Sequence, residues 1–206
     1  MINLETPKKH RALIDQAHQV AMNMLRPISR KYDAAEHAYP KELDMLAAMI
    51  DGLSDSGASE GAGATGVRRD DKAEDKGIKN GANMASVTSV AEMCWGDTGL
   101  LLSMPRQGLG NSAIASVADA AQQERFAGMW AAMAITEPGT GSDSANITTT
   151  AVRDGDHYVL NGEKIFVTSG ERADAVVVWA TLDRSLGRAA IKSFVVPKGT
   201  PGMTVE

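Results

Sequence analysis

A loop rich in hydroxyl and small side chains runs from Thr136 to Ser144. Gly139 and Gly141 allow a backbone to approach a ligand closely. Hydroxyl side chains in the loop offer hydrogen-bond donors without charge (Thr136, Thr140, Ser142 and Ser144). Such a loop could cradle a phosphate or the polar edge of a ring, or it could be a plain turn after a strand. It has neither the G-x-G-x-x-G spacing of dinucleotide sites nor the Walker A pattern.

The acidic, histidine and cysteine residues do not suggest a catalytic or metal cluster. We predict that Glu137, which belongs to a structural turn, accepts backbone hydrogen bonds and that Asp143 caps the turn that follows. The four histidines are scattered without metal-ligand spacing (His10, His18, His37 and His157). Cys94 is the only cysteine, which excludes an internal disulfide and a thiolate cluster. The sequence therefore predicts no metal site.

A second motif follows the loop. The first motif reads Thr136-Glu137-Pro138-Gly139-x-Gly141-Ser142-Asp143, and the second reads Tyr158-x-Leu160-Asn161-Gly162-x-Lys164-x-Phe166-x-Thr168. In residue types and in spacing, the pair resembles the flavin- and thioester-contacting signature in the middle β-domain of acyl-CoA dehydrogenases. Weaker likeness extends back to Gln122–Phe126 and forward to Phe194–Pro197.

The resemblance implies an FAD site and an acyl-CoA site. By this likeness, the isoalloxazine ring would be contacted by Met133, Ile135, Thr136, Gly141, Ser142, Phe166, Val167 and Thr168. Ser142 would also reach the acyl-CoA ligand. The acyl-chain channel would be lined by Leu101, Leu102, Pro105 and Leu109, although helix-core packing explains these four equally well. Phe166 stands where the family commonly has Trp, so ring stacking is kept and the indole donor is lost.

The reaction implied by the resemblance is α,β-desaturation of an acyl-CoA thioester, with hydride transfer to flavin N5. Electrons would then pass to an electron-transfer flavoprotein. The family's glutamate base lies in a C-terminal helical domain, and we expect that domain and the base to be absent from this chain. The chain would then be a partial enzyme or one subunit of a homo- or hetero-oligomer. The alternatives are a non-catalytic half-length partner or scaffold, and a β-barrel with an unrelated ligand.

The predicted secondary structure around these residues changes from helical to extended along the chain. Apolar residues at helical spacing predict a helix from Thr6-Pro7 through Ile28, with a kink or an end at Pro27. A second helix is predicted from Pro40. Residues 51–83 are rich in glycine and charge, which predicts a mobile loop. Helical patterns return from Met84 to Ala127, with a buried Leu100-Leu101-Leu102 and a break at Pro105.

Strand-like runs dominate the rest of the chain. We predict strands at 148–153, 157–160, 164–167, 175–181 and 189–196, with hairpin turns at Asp154-Gly155 and Asn161-Gly162. Helices followed by strands predict an α+β fold. Its helical domain would span residues 1–128. An antiparallel β-barrel or sandwich would span 129–206.

Composition limits the range of partners and locations. The net charge of −5 gives no broad basic field for nucleic acid or anionic lipid. No apolar run in the sequence is long enough to span a membrane, and residues 1–10 have no signal-peptide pattern. These observations predict a cytoplasmic protein without a membrane span.

Overall fold

A computed structural model describes residues 8–35, 38–55, 81–105 and 109–206 of the chain. The chain divides into two compact units, Met1–Gln107 and Gly108–Glu206. The predicted domain boundary at residue 128 stays a prediction. Most of the predicted loop at 51–83 lies outside the described residues. Helices extend into both of its ends, because one helix continues to Asp55 and the next begins at Gly81.

The first unit is helical. A short 3₁₀ turn, Lys8–His10, leads into α1, Arg11–Val20, and a five-residue π-helical segment, Ala21–Leu25, follows. The remaining helices are α2, Arg26–Ala34, α3, Glu42–Asp55, and α4, Gly81–Ser103. Pro27 lies in the first turn of α2, directly after the π-helical segment, and Leu25 and Arg26 keep right-handed helical φ and ψ angles. The helix therefore changes its hydrogen-bond pattern here but does not end, so the predicted end at Pro27 was wrong and the predicted kink stays a prediction.

Leucines from three elements form the core of this unit: Leu25, Leu43, Leu46 and Leu100. Gly96 of α4 meets Ala21 so closely that a Cβ there would lie 2.9 Å from the Ala21 Cβ. The prediction of a fully buried leucine triplet was wrong, because Leu102 is 52% exposed. The face of α4 that carries Val87 and Val90 is also exposed.

The second unit begins with two helices, α5, Leu109–Val117, and α6, Ala120–Arg125. Its strands are β1, Ala131–Ala134, β2, Thr150–Asp154, β3, His157–Asn161, β4, Ala175–Thr181, and β5, Ile191–Pro197. The α+β class is therefore confirmed. None of the helices in the described ranges is both long and apolar enough to cross a membrane.

The sheet is mixed, which corrects the prediction of an antiparallel barrel or sandwich. Strand β4 pairs in parallel with β1. It also pairs in parallel with β2, through Thr181 of β4 and Thr150 of β2. Along its other edge, β4 pairs antiparallel with β5. Strands β2 and β3 form the antiparallel hairpin. Among the described strands no pairing joins β3 to β5, so the sheet does not close. The parallel pairs arise because long connections, rather than hairpin turns, separate β1, β2 and β4 along the chain.

The two predicted hairpin turns have different outcomes. The turn after β2 is confirmed: Asp154 pairs with His157, and Gly155 adopts a φ of 58° in the two-residue loop. The prediction of a hairpin turn at Asn161-Gly162 was wrong, because the backbone of Gly162 packs closely against Thr149. A Cβ at Gly162 would lie 2.4 Å from the Thr149 hydroxyl oxygen, so this close approach requires glycine.

Both faces of the sheet are covered. On one face, Ile114 of α5 packs with Ala131 and Val177. On the other face, Ala132, Ala134 and Val176 form a cluster with Ala173, and Val167 packs against that cluster. The connection between β3 and β4 therefore lies on the sheet face opposite α5.

Candidate functional site

The loop after β1 is closed by a tight turn at Glu137–Thr140. The Glu137 N–H donates to the Thr140 carbonyl at 2.9 Å, and the Thr140 N–H donates to the Glu137 carbonyl at 3.0 Å. Pro138 and Gly139 at the tip are exposed, and a Cβ at Gly139 or Gly141 would meet open space. These two glycines are therefore not required by packing within the described chain.

Glu137 is buried beneath this turn and is only 3% exposed. Its carboxylate accepts the backbone N–H and hydroxyl of Thr148, both at 2.6 Å, and those of Thr149 at 2.9 and 2.6 Å. Lys164 Nζ donates to the same carboxylate at 2.8 Å. The prediction that Glu137 accepts backbone hydrogen bonds is confirmed.

Burial by itself raises the pKa of the Glu137 carboxyl. The hydrogen bonds from Lys164, Thr148 and Thr149 outweigh burial and hold that pKa well below its usual range. Five donors also occupy the lone-pair positions of the carboxylate. Glu137 is therefore a charged structural group, and no lone pair remains for taking a proton from a ligand.

Lys164 joins the second motif to the first. Its Nζ donates to the Ile135 carbonyl at 2.9 Å as well as to Glu137. The next residue, Ile165, donates its N–H to the Thr136 carbonyl at 2.9 Å. The segments before Thr168 and around Thr136 are therefore hydrogen-bonded neighbours.

The predicted strand at 164–167 was wrong. No strand pairing involves these residues, because Lys164 and Ile165 bond to the loop after β1 and Phe166 turns into the left-handed region with a φ of 57°. Ser169 also has a positive φ, 59°. Such a conformation is uncommon for a bulky residue and concentrates at functional sites. Phe166 is 87% exposed, so its ring is presented to solvent.

Of the predicted FAD contacts, Ile135, Thr136 and the 166–168 segment lie at this junction, whereas Met133 lies on the same sheet face as Ala131, the face that α5 covers. Met133 belongs to β1, and Ile135 and Thr136 follow it; all three are half-buried, as are Val167 and Thr168 in the second segment. Gly141 and Ser142 are exposed in the loop beyond the turn. Asp143 precedes a 3₁₀ turn, Ser144–Asn146, and its carboxylate accepts the Asn146 side-chain amide rather than a backbone N–H.

The predicted acyl-channel residues are divided between the units. Leu101, Leu102 and Pro105 belong to the first unit, where Leu101 and Pro105 are half-buried and Leu102 is exposed. Leu109 begins α5 in the second unit and is exposed. Their role as an acyl channel stays a prediction. Groups of three or more metal-ligating side chains are absent from the described part of the chain.

Sequence reasoning missed the two threonines under the turn and the partner of Lys164. Thr148 and Thr149 were assigned only to a strand, yet they hold Glu137. The available signal is Lys164, a charged residue directly before the apolar run Ile165–Val167. A buried lysine requires a carboxylate or a carbonyl partner, and Glu137 is one of the two acidic residues of the first motif, Asp143 being the other.

Comparisons with known proteins find similarity to acyl-CoA dehydrogenases. Residues 132–206 match the family model of the acyl-CoA dehydrogenase middle domain. The chain is 51% identical over 82 residues to cyclohex-1-ene-1-carbonyl-CoA dehydrogenase of Geobacter metallireducens, which covers 38% of this chain and 22% of that protein. It is 29% identical over 211 residues to the mitochondrial short-chain specific acyl-CoA dehydrogenase of Homo sapiens, which covers 98% of this chain and 47% of that protein.

Solved structures share the fold. Glutaryl-CoA dehydrogenase from Mycobacterium smegmatis in complex with FADH2 superposes with a TM-score of 0.70 at 23% identity, over 97% of this chain and 48% of that chain. The chain thus spans at most about half the length of the curated relatives named above. Residues 132–206 are thus similar to the middle domain of acyl-CoA dehydrogenases, and the chain as a whole is similar to only part of these relatives.

Proposed function

We propose that this chain forms part of the FAD site of an acyl-CoA dehydrogenase. The observation that carries the proposal is the hydrogen-bonded junction of the two motif segments, Lys164 to Ile135 and Ile165 to Thr136, beside the strained and exposed Phe166. An exposed aromatic ring next to half-buried apolar and hydroxyl side chains suits a flat, partly polar ring system. The residues present therefore fit an isoalloxazine ring.

The residues predicted to contact the flavin would make different kinds of interaction with it. Phe166 offers a stacking surface, and Met133, Ile135 and Val167 offer apolar contacts. Thr136 and Thr168 offer hydroxyl donors to the polar edge of the ring. The turn at Gly139 and Gly141 leaves room for close approach, and Ser142 would hydrogen-bond the flavin or the acyl-CoA ligand. When bound, FAD would supply the acceptor for the two electrons removed from the substrate.

The proposed reaction is α,β-desaturation of an acyl-CoA thioester, with electrons passing to an electron-transfer flavoprotein. Its support is the kinship with acyl-CoA dehydrogenases. Glu137 is not a candidate base, because its carboxylate is saturated with donors. We propose that the base comes from polypeptide outside these 206 residues. An oligomer and a cytoplasmic location remain proposals from the sequence.

A non-catalytic partner or scaffold is the second candidate function. The supporting observation is the exposed apolar face of α4, including Val87 and Val90. Exposed apolar patches of this kind mark association surfaces. A scaffold would keep the folded middle domain while the partner supplies the base.

Purification of the tagged chain from its native host, in whatever assembly it forms, tests the proposal. We expect a visible flavin spectrum and reduction of an electron-accepting dye on addition of an acyl-CoA. Flavin without dye reduction, over a panel of acyl-CoA chain lengths, would favour the scaffold. An assembly without flavin would refute the proposed cofactor.

A further inference from the structure

The strained turn of the second motif is anchored on both sides. On its N-terminal side, Lys164 and Ile165 bond to the loop after β1. On its C-terminal side, Val167 packs on the sheet, and its carbonyl accepts the Gly170 N–H at 3.0 Å. A left-handed residue other than glycine persists only where its surroundings hold it in place. The anchors therefore maintain the conformation of Phe166.

The Lys164 side chain has an unusual set of partners. Its two acceptors are the Ile135 carbonyl and the Glu137 carboxylate, which belong to the residues on either side of Thr136. One ammonium group thus holds both neighbours of Thr136. The backbone of Thr136 itself accepts the Ile165 N–H, so the three consecutive residues Ile135 to Glu137 are held by two consecutive residues of the second motif.

Stability alone does not explain why Lys164 and Glu137 form a buried ion pair. The Lys164 side chain is 8% exposed and that of Glu137 is 2% exposed, so both charges have lost most of their hydration. A buried ion pair is often no more stabilising than an apolar pair of similar volume. A pair with fixed hydrogen-bond directions does, however, specify one geometry for the segments that it joins.

We propose that Lys164 is a positioning residue that sets the placement of the Phe166–Thr168 segment against Thr136, and so the shape of the flavin-contacting surface. The inference rests on the proposed function for its ligand. Lys164 acts through Thr136, Phe166 and Thr168.

Hydrogen exchange on the full chain without ligand tests the positioning directly. In Lys164→Met, amides 165–170 should exchange at least tenfold faster than in the original chain, whereas the β2–β3 hairpin should be unchanged. Lys192→Met is the matched control, because Lys192 is an exposed lysine that also donates to a backbone carbonyl, that of Ala189. Lys164→Arg keeps the charge with a different donor geometry and should give a smaller change at the same amides.

Titration with FAD tests the consequence for binding. We expect the dissociation constant of Lys164→Met to rise at least tenfold, with an altered visible spectrum of the bound flavin, and that of Lys192→Met to stay within twofold. If Lys164→Met does not fold, the same two measurements on Lys164→Arg decide the matter. Exchange of amides 165–170 within twofold of the original chain, or FAD affinity within twofold with an unchanged flavin spectrum, would overturn the proposal.

The two proposals fail in different ways. If the original chain and its native assembly bind no FAD, while Lys164→Met still loosens residues 165–170, the proposed function fails and the positioning role stands. If the original chain binds FAD and Lys164→Met binds it equally well with an unchanged spectrum, the positioning role fails and the proposed function stands.

Discussion

At the scale of single residues, Glu137 organises the site without taking part in chemistry. Its carboxylate connects the loop after β1 to the start of β2 and to the second motif. The presence of Glu137 in the first motif is thus explained by the need to satisfy backbone donors and one buried ammonium group. The sequence predicted that Glu137 accepts backbone hydrogen bonds, because the surrounding residues are typical of a turn. The identity of the donors was not predictable, because they come from residues 11 to 27 positions away.

Glu137→Gln should destabilise the second unit. The substitution leaves the Lys164 ammonium buried without its counter-charge, which costs about 3 kcal/mol in comparable buried pairs. Denaturant unfolding followed by circular dichroism measures the change. Glu124→Gln is the control, because Glu124 is exposed on α6. A loss below about 0.5 kcal/mol, typical of surface substitutions, would contradict the role of the ion pair.

Acid should weaken the fold partly through Glu137. Because the pKa of this carboxyl is lower in the folded chain than its ordinary value of 4.5, its contribution to stability is complete above about pH 4.5 and declines as the pH falls below that value. We expect Glu137→Gln to lose part of the acid dependence of the unfolding free energy. Equal slopes for both proteins from roughly pH 3 to pH 5, the range around the ordinary carboxyl pKa, would argue against this assignment.

At the scale of elements, local sequence signals predicted helices and one turn correctly but did not predict which strands pair. The apolar periodicity of α1 and the glycine turn between β2 and β3 were sufficient, because both depend on neighbours in sequence. The parallel pairing of β1 with β4 joins residues 44 positions apart, such as Ala131 and Ala175, and no local pattern encodes it. The segment 164–167 has strand-like composition, but its hydrogen bonds go to a loop.

The docking of α5 on β1 depends on one glycine. A Cβ at Gly110 would lie 2.3 Å from the Ala132 carbonyl oxygen, so Gly110→Ala must displace the helix or the strand. We expect a loss of about 2 kcal/mol or more, as for other overpacked sites. Thermal unfolding of Gly110→Ala beside Gly99→Ala measures it. The nearest neighbour of a Cβ at Gly99 is the Asp97 carboxylate at 3.3 Å, so that helical glycine should tolerate alanine far better. Equal melting temperatures would contradict the close approach.

At the scale of the whole molecule, the sequence resemblance and the solved structures indicate the same fold, and this chain spans about half the length of the proteins that share it. The two motifs identified the middle domain because their residues are specific in type and spacing, and the fold brings them together. The antiparallel barrel inferred from strand-like runs was wrong in its pairing, because composition does not distinguish parallel from antiparallel neighbours.

Association of the chain should depend on the exposed face of α4. Val87→Lys together with Val90→Lys should lower the average mass measured by light scattering, because two exposed apolar side chains would become charged. Thr98→Lys, an exposed position on the same helix, is the control for added charge. If the original chain is already a monomer at concentrations where the control is studied, this face does not drive association.

The measurement closest to the central claim is hydrogen exchange of the original chain with and without saturating FAD. We expect residues 135–142 and 165–169 to gain protection together, while the tip of the β2–β3 hairpin is unaffected. Protection of only one of these segments, or of neither at FAD concentrations that saturate binding, would contradict a single flavin surface built from both motifs.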